Sequence, residues 1–378
     1  MTSNFQLLPL VVFIIYLFYA FVIIKMINIW AKENVFYPNP KSRFGFQGIQ
    51  ISVIIPVRNE EKGILKLLED LQNQTLNHSL FEVIVVNDAS TDTTEAIVQN
   101  FVSNYKLSLI NLVEEKSSAP KKRAISEAIQ VAKGNLIVST DGDCRVGADW
   151  LKTILFFQQQ TKAVFVSGLV KIEPNSSFFS KLQSIEFASL VGTGAISIFN
   201  KTPTMCNGAN IAYLKSAFIE VNGFEGNENL ASGDDEFLMH KMFVQYPERI
   251  RFLKSDLATV STNPCHSLGV FVNQRKRWAS KWRFYKDYKV SLVAISIFLL
   301  NLMSIFVFFS FNKPLVLTGF CLKFCADFYI YILILRFLGF KNLLFYIPFV
   351  LLLYPFYVVF IGILSLKSGY SWKNRQLK

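Results

Sequence analysis

Apolar residues form long uninterrupted runs at both ends of the chain, whereas the middle alternates short apolar stretches with polar ones. The first run covers residues 7–29, with Lys25 as its one charge, and three more cover about 290–311, 314–338 and 343–364. Each run is long enough to cross a hydrocarbon core of about 30 Å. The pattern predicts four membrane-spanning helices, one before and three after a globular domain.

A cleaved signal peptide is the alternative interpretation of the first run. That run is too long for a signal peptide, no basic residue precedes it, and no small-residue cleavage site follows it. The second of the three later runs carries Lys323 and Asp327, four residues apart. These two charges either neutralise each other on one helix face or each face neighbouring helices.

Lysines and arginines near the spans favour the cytoplasmic side of a membrane. Residues 1–6 carry none, so the sequence predicts an outside N-terminus and a cytoplasmic middle, as in a protein of the bacterial inner membrane. The basic residues that support this orientation are Lys25, Lys32, Lys41, Arg43, Arg277, Lys281, Arg283, Lys286 and Lys289. Four full spans would place the C-terminus outside, whereas the basic tail, residues 367–378, favours the inside. The alternative is that one C-terminal run is re-entrant or interfacial.

The formal net charge of +12 would ordinarily raise the question of nucleic-acid binding. Much of this charge lies beside the apolar runs, where attraction to anionic membrane lipids explains it better, so we expect no nucleic-acid partner. The five cysteines have no metal-site or disulfide spacing, which fits a reducing cytosol.

Short apolar stretches alternate with helical patterns between residues 50 and 170, which predicts an α/β domain with a mostly parallel sheet. The predicted strands are 51–57, 81–87, 107–113 and 135–140, and the predicted helices are 60–74, 91–103 and 119–132. Ligands bind beyond the carboxyl ends of strands in such sheets. Asp88, the Asp141–Asp143 segment and the 56–60 segment all follow strands, so we expect them on one edge.

The remaining segments give the domain limits. Residues 31–48 form the linker from the first span, 49–285 the globular domain and 286–366 the C-terminal membrane region. The 176–199 segment mixes apolar and small residues, and it is interpreted as a helix that lies on the membrane or caps the active site. A plain core helix is the equal alternative.

Asp141 and Asp143 flank a glycine in a predicted tight turn. Two such carboxylates can reach one divalent cation, and Mg²⁺ or Mn²⁺ completes its shell with phosphates and water. A solvated turn is the alternative. Asp88 can accept hydrogen bonds from a uracil or ribose edge, or it can cap the helix that begins near Thr91, a role open to Asp92 as well.

Asp234 and Asp235 precede a predicted helix, 236–245. One of them can act as a general base, and either can cap the helix. Upstream, Asn207 and Gly208 offer small and amide groups that can line a sugar pocket.

The segment from Gln274 to Trp278 combines two guanidinium groups, those of Arg275 and Arg277, with an indole ring. Arginine binds phosphate oxygens through two parallel hydrogen bonds, and a tryptophan face stacks on a sugar. A basic, aromatic helix at the membrane edge is the alternative.

Together these motifs resemble glycosyltransferase family 2, in particular its membrane-bound polysaccharide-synthase-like and ceramide-glucosyltransferase-like members. The resemblance covers about residues 48–285. It rests on five segments in order: Ile54-Ile55-Pro56-Val57-Arg58-Asn59-Glu60, Val86-Asn87-Asp88-Ala89-Ser90-Thr91-Asp92, Asp141-Gly142-Asp143, Gly233-Asp234-Asp235 and Gln274-Arg275-Lys276-Arg277-Trp278.

The resemblance implies a GT-A fold, a nucleotide-diphosphate sugar donor such as a UDP-sugar, a divalent metal and inversion at the anomeric carbon. It implies that Asp141 and Asp143 bind the metal and that Asp235, beside Asp234, acts as the base. The implied donor contacts are Pro56, Glu60, Asp88, Lys121, Asp141, Arg275 and Arg277. The implied acceptor contacts are Asn207, Gly208, Gln274 and Trp278.

Two departures from the family pattern affect the predicted activity. Ser126 stands where the family often has asparagine, and Asp234 stands where glutamate is common. Three apolar runs after the domain are few for a synthase that builds its own export channel. The hypothesis is therefore a membrane-bound inverting glycosyltransferase that modifies a lipid or glycan of the cell envelope. A processive polysaccharide synthase and a non-catalytic nucleotide- or glycan-binding subunit remain the alternatives.

Overall fold

The computed structural model describes residues 4–39, 45–113, 119–284, 288–308, 313–366, 370–372 and 375–377. The chain divides into two compact units. The helical unit comprises Met1–Glu33, Pro174–Gly192 and Pro264–Ser368, and the sheet unit comprises Asn34–Glu173, Thr193–Asn263 and Gly369–Lys378.

Eleven strands are present in the part of the chain that the structure describes. They are β1 Ile51–Val57, β2 Phe81–Asp88, β3 Lys106–Leu112, β4 Leu136–Ser139, β5 Phe165–Gly168, β6 Val170–Ile172, β7 Ile211–Leu214, β8 Ile250–Leu253, β9 Val260–Thr262, β10 Tyr370–Trp372 and β11 Arg375–Leu377. The first four match the predicted strands to within one residue at either end. Buried parallel strands are apolar on both faces, which is why these stretches lack a polar-apolar alternation.

Twelve α-helices occur among the same residues. They are α1 Asn4–Lys32, α2 Ile64–Gln72, α3 Thr94–Asn100, α4 Pro120–Val131, α5 Trp150–Thr161, α6 Phe178–Phe199, α7 Lys215–Glu220, α8 Glu236–Gln245, α9 Leu268–Ala279, α10 Tyr288–Phe308, α11 Pro314–Phe337 and α12 Ile347–Ser365. The predicted helices are present, but the first two begin three or four residues later than their patterns indicate. The missing turns are occupied by the loops that follow β1 and β2.

Seven strands form the main sheet in the order β3-β2-β1-β4-β7-β5-β8. The first four are parallel to one another, and β5 is parallel to β8. Strand β7 is antiparallel to both β4 and β5. The sheet is therefore mostly parallel, as predicted, with one reversed strand between β4 and β5 that the sequence pattern does not reveal.

Five helices of the described chain are long and apolar enough to cross a membrane: α1, α6, α10, α11 and the segment Lys341–Ser365 that includes α12. Helix α6 differs from the other four because two-thirds of its most apolar stretch is buried within the protein. It lies in the chain between β6 and β7, and β7 pairs with β5, which directly precedes β6, with Ser167 opposite Ile211. A single crossing would place paired strands on opposite sides of the bilayer. Helix α6 therefore starts and ends on one side, which leaves four spanning candidates.

The two charges of the second C-terminal run lie inside the helical unit. The Lys323 ammonium lies 2.7 Å from Asp327 Oδ2, and the Tyr19 hydroxyl of α1 donates to Asp327 Oδ1 over 2.7 Å. Both charged residues are buried. Each predicted alternative therefore holds in part, because the charges neutralise each other and also face a neighbouring helix.

Several basic residues used for the orientation prediction lie outside the described residues. They are Lys41, Arg43, Lys286, Lys367, Lys373 and Lys378. The membrane orientation and the limits of the predicted domains stay predictions.

Removing one partner of the buried pair tests its role in the helical unit. Asp327→Ala leaves the Lys323 ammonium buried without a counter-charge, so we expect a loss of about 3–5 kcal/mol in the free energy of unfolding. Denaturant unfolding of the detergent-solubilised protein measures this loss. The double variant Lys323→Met/Asp327→Leu, which removes both charges, should unfold close to the wild type. Equal stability of Asp327→Ala and the wild type would show that the pair is dispensable.

Candidate functional site

The carboxyl ends of three parallel strands lie side by side in the sheet unit. Val57 of β1 is opposite Asn87 of β2, and Ile54 of β1 is opposite Ser139 of β4. Asp88 is the last residue of β2, and the segments that follow β1 and β4 carry Glu60 and Asp141. The structure thus places the three predicted segments on one edge of the sheet.

The reversed strand β7 brings a fourth segment to this edge. Because β7 is antiparallel to β4, its first residue, Ile211, lies opposite the last residue of β4, Ser139. The 207–210 segment, which precedes β7, therefore lies next to the turn that follows β4. A parallel strand would have placed this segment at the opposite edge.

Lys121, in the first turn of α4, connects two of the acidic motifs. Its ammonium lies 2.8 Å from Asp141 Oδ1 and 3.2 Å from Asp234 Oδ2. Burial disfavours the charged amine, but attraction to Asp141 and then to Asp234 outweighs burial and raises the pKa of Lys121. The lysine therefore stays charged and holds together two carboxylates that lie far apart in the sequence.

Gly208 lies against the same three charged side chains. Its backbone N–H donates to Asp235 Oδ2 over 2.8 Å. A Cβ atom at this position would be 3.2 Å from Lys121 Nζ, 3.3 Å from Asp234 Oδ2 and 3.4 Å from Asp235 Oδ2. A side chain would crowd all three groups, so glycine keeps the space in front of the acids open.

The two neighbouring aspartates make different contacts. Asp235 caps α8, because its Oδ1 accepts from the Glu236 N–H over 2.8 Å while its Oδ2 accepts from Gly208. Burial works against the ionised form of Asp234, but the Lys121 charge outweighs it and lowers the pKa of that carboxyl. Asp235 thus takes the capping contact and Asp234 takes the ion pair.

The turn with Asp141 and Asp143 packs closely against the loop after β1. A Cβ atom on Gly142 would lie 2.8 Å from Val57 Cγ1 and 3.1 Å from Glu60 Cγ. A Cβ atom on Gly63 would lie 2.8 Å from the Asp143 Cα. Backbone approaches this close require glycine at both positions, and they fix Glu60 beside the acidic turn.

Hydrogen bonds connect the loop after β1 to the loop after β2. Arg58 Nη1 donates to the carbonyls of Asp88 and Ala89, over 2.6 and 2.8 Å. The Asn59 N–H donates to Ser90 Oγ over 3.0 Å. Both Asn59 and Ala89 have a positive φ, of 53° and 49°, which is a strained conformation for residues with a Cβ. The cross-loop bonds hold both residues in this strained geometry.

Asp92, not Asp88, supplies the side-chain acceptor at the start of the helix that follows β2, whose N-cap residue is Thr93. Asp92 Oδ1 accepts from the Thr94 N–H over 3.0 Å, at the start of α3. Asp88 is buried at the end of β2, six residues before Thr94, the first residue of α3. The capping alternative for Asp88 is therefore wrong, and its ligand role stays a prediction.

The chemistry of the Asp141–Asp143 turn fits a hard divalent cation. The Asp141 side chain is 39% exposed, so its carboxylate is open to a ligand. Burial, followed by the charges of Asp143 and Asp141, raises the pKa of the Cys144 thiol, so the neighbouring sulfur stays protonated. No group of three potential metal ligands occurs among the described residues. A cation here would need substrate oxygens or water to complete its shell.

The last motif, Gln274–Trp278, belongs to the helical unit and lies on α9. Arg275 is 2% exposed, and its Nη2 and Nε donate to Glu186 over 2.5 and 3.2 Å. Its guanidinium carbon lies 4.3 Å from the centre of the Trp278 ring. This arrangement argues against the predicted contact of Arg275 with a diphosphate, because a carboxylate already occupies the donor fork. The Arg277 side chain is partly exposed.

Three residues of this arrangement are not predicted from the sequence: Arg58, Gly63 and Glu186. An arginine directly after a strand and a glycine shortly before a helix are common in loops, so neither is informative in isolation. A glutamate inside the apolar 176–199 segment was a usable signal, because a charge in such a segment needs a buried partner.

Residues 52–221 match the family described as Glycosyl transferase family 2. A poly(ribitol-phosphate) beta-glucosyltransferase of Bacillus spizizenii is 29% identical over 123 residues, which are 32% of this chain and 19% of that protein. A poly-beta-1,6-N-acetyl-D-glucosamine synthase of Staphylococcus aureus is 24% identical over 239 residues, 61% of this chain and 53% of that protein. The chain thus spans only part of these relatives.

Among solved structures, the mannosyltransferase PcManGT of Pyrobaculum calidifontis, in complex with GDP-Man and Mn²⁺, matches with a TM-score of 0.57. The match covers 94% of this chain and 96% of that chain at 16% sequence identity, so it shows the fold alone. Residues 52–221 therefore form a domain of glycosyl transferase family 2, and the fold is GT-A.

Proposed function

We propose that this protein is an inverting glycosyltransferase that moves a sugar from a nucleotide-diphosphate sugar to a lipid or glycan acceptor. One observation carries the proposal. Lys121 binds Asp141 and Asp234, and Gly208 contacts Lys121, Asp234 and Asp235, at the ligand-binding edge of a family 2 domain. The cluster therefore joins the acids proposed for the donor to those proposed for the acceptor.

The donor side of the site is formed by the loops after β1, β2 and β4. Asp88 accepts hydrogen bonds from the nucleoside, and Pro56 and Glu60 line the same site. A divalent cation held by Asp141 and Asp143, Mg²⁺ or Mn²⁺, would neutralise charge on the departing diphosphate. Lys121 adds a second positive charge beside Asp141, 2.8 Å from its carboxylate. This concentration of charge stabilises the leaving group.

The acceptor side is formed by the Asp234-Asp235 pair and the 207–210 segment. Asp235 removes the proton of the acceptor hydroxyl as that oxygen attacks the anomeric carbon, which gives inversion. The Gly208 and Glu236 N–H groups hold the Asp235 carboxylate in a fixed orientation. Gly208 and Asn207 leave room for the acceptor sugar. Asp234, held by Lys121, is the second candidate for the base.

The Gln274–Trp278 motif contributes the remaining proposed contacts, which rest on the sequence motif. Arg277 holds the departing diphosphate, and Gln274 and Trp278 contact the acceptor. The burial of Arg275 against Glu186 moves the diphosphate role to Arg277. The basic residues near the spans support a domain on the cytoplasmic face of a bacterial inner membrane, in contact with anionic lipids.

A processive polysaccharide synthase is the second candidate function. The similarity to a poly-beta-1,6-N-acetyl-D-glucosamine synthase over 61% of this chain favours it. Product length separates the two candidates. With purified protein and excess donor, single transfer gives one added sugar per acceptor by mass spectrometry, whereas processive synthesis gives a series of long products.

Asp235→Asn tests the base directly. Asparagine keeps the size of the side chain and one accepting oxygen, so the fold and donor binding should persist, while sugar transfer should fall by about 10²- to 10⁴-fold. Transfer is measured with purified protein in detergent. Asp256→Asn, at an exposed acid of the same unit, is the matched control. Full turnover of Asp235→Asn would remove Asp235 from the base role, and a selective loss in Asp234→Asn would assign the base to Asp234.

Cation dependence tests the donor site and separates an enzyme from a binding subunit. A panel of UDP- and GDP-sugars is incubated with the protein and Mn²⁺ or Mg²⁺, and release of nucleoside diphosphate is measured. We expect release from at least one donor, its loss on addition of a chelator, and its recovery with excess cation. Asp143→Asn should raise the cation concentration needed by at least about tenfold. Nucleotide binding without any release would instead indicate the non-catalytic subunit.

A further inference from the structure

A buried ionic cluster lies in the helical unit, around the carboxylate of Glu186 on α6. Arg275 of α9 donates to both oxygens of this carboxylate, over 2.5 and 3.2 Å. The Tyr357 hydroxyl of α12 donates to its Oε1 over 2.9 Å. Three helices that are distant in the sequence thus meet at one side chain. Glu186 and Arg275 are 5% and 2% exposed, so water does not screen their interaction.

Aromatic rings enclose the guanidinium of Arg275. Its carbon lies 4.5 Å from the centre of the Phe271 ring and 4.3 Å from that of Trp278. The Phe187 ring of α6 lies 5.9 Å from the Trp278 ring. Arg275 also donates to the side-chain oxygen of Gln274, which accepts from the Cys265 thiol as well, over 3.5 Å. The neighbours of Arg275 in the motif are therefore held together with it.

An ion pair of this kind is poorly explained by stability alone. Removing two charges from water costs free energy, and apolar side chains of similar size often pack at least as well. The pair restricts how Arg275 is oriented relative to Glu186, because a guanidinium bound to a carboxylate through two hydrogen bonds has one preferred orientation. The pair thus fixes the rotation of α9 about its own axis.

The rotation of α9 decides where the other residues of the motif point. An α-helix turns by about 100° per residue, so Arg277 lies about 200° from Arg275 around the helix, and Trp278 lies about 60° from it. Holding Arg275 inward therefore turns Arg277 outward and keeps Trp278 on the side of Arg275. The burial of Arg275 and the partial exposure of Arg277 agree with this arrangement.

We propose that Glu186 and Tyr357 are positioning residues, which act through Arg275 to set the rotation of α9 and so the direction in which the Arg277 side chain leaves this helix. The substrate side of this inference rests on the proposed function. The rotation of α9 does not. Glu186 touches no substrate, and a membrane-spanning helix, α12, contributes to the positioning through Tyr357.

A double-variant cycle on nucleotide binding tests the proposal. The probes are UDP and GDP, each with Mn²⁺, and dissociation constants are measured by calorimetry on the full chain in detergent. Arg277→Ala should weaken binding at least tenfold, and Glu186→Gln should weaken it about tenfold. The combination Glu186→Gln/Arg277→Ala should bind no more weakly than Arg277→Ala, because Glu186 acts through Arg277. Glu248→Gln, which neutralises an exposed glutamate paired with Lys201, should bind as the wild type does.

Additive losses in the double variant, or unchanged binding by a folded Glu186→Gln protein, would overturn the proposal. If Glu186→Gln lowers the unfolding temperature strongly, Tyr357→Phe replaces it in the same cycle. That variant removes one hydrogen bond to Glu186 and leaves the Arg275–Glu186 pair, so nucleotide binding should weaken about threefold. In the Arg277→Ala background the same substitution should leave nucleotide binding unchanged.

A labelling experiment tests the rotation without any substrate. Arg277→Cys is introduced with Cys321→Ser and Cys325→Ser, which remove the two exposed native thiols. The rate of modification by a polyethylene-glycol maleimide is then compared with and without Glu186→Gln. A change of at least threefold supports the rotation, and an unchanged rate contradicts it even if the protein binds neither nucleotide. Absence of nucleotide binding by the wild type, with a changed labelling rate, would count against the proposed function alone.

Discussion

The ammonium group of Lys121 is the contact on which the proposed site depends. It lies between Asp141, which follows β4, and Asp234, which precedes α8, and its positive charge lowers the pKa of the Asp234 carboxyl. Two carboxylates that contact the same ammonium group would repel one another if that cation were removed. Lys121 thus joins the proposed donor and acceptor sides, and Gly208 keeps the space beside them open.

The sheet brings these groups together through its order and direction. Parallel strands end at one edge, which collects the loops of β1, β2 and β4. Because β7 runs in the opposite direction, the 207–210 segment that precedes it lies at the same edge as the loops that follow the parallel strands. This position brings the Gly208 N–H to the Asp235 carboxylate. Close glycine contacts and hydrogen bonds between neighbouring loops then fix the edge. Contacts within the protein therefore position the side chains of the proposed site without a bound ligand.

The helical unit applies the same principle with different chemistry. Charges in a poorly hydrated environment need partners, and the described helices provide two such groups: Lys323 with Asp327 and Tyr19, and Arg275 with Glu186 and Tyr357. The first group neutralises a charge within a spanning helix. The second joins α6, α9 and α12 at the carboxylate of Glu186. Burying a charge costs free energy, but a partner that binds it through two hydrogen bonds gives the two side chains one preferred relative orientation.

The order of residues along the chain is enough to predict the local features: the first four strands, the apolar runs, and the acids at or just after strand ends. These depend on the periodicity of neighbouring residues and on turn chemistry. The packed fold sets the antiparallel direction of β7, the capping contact of Asp235, the ion pair of Asp234 with Lys121 and the burial of Arg275 against Glu186. Each of these outcomes joins residues that are distant in the chain or chooses between adjacent identical ones. Local pattern carries no information on such pairings, because they follow from the order of strands and the packing of helices.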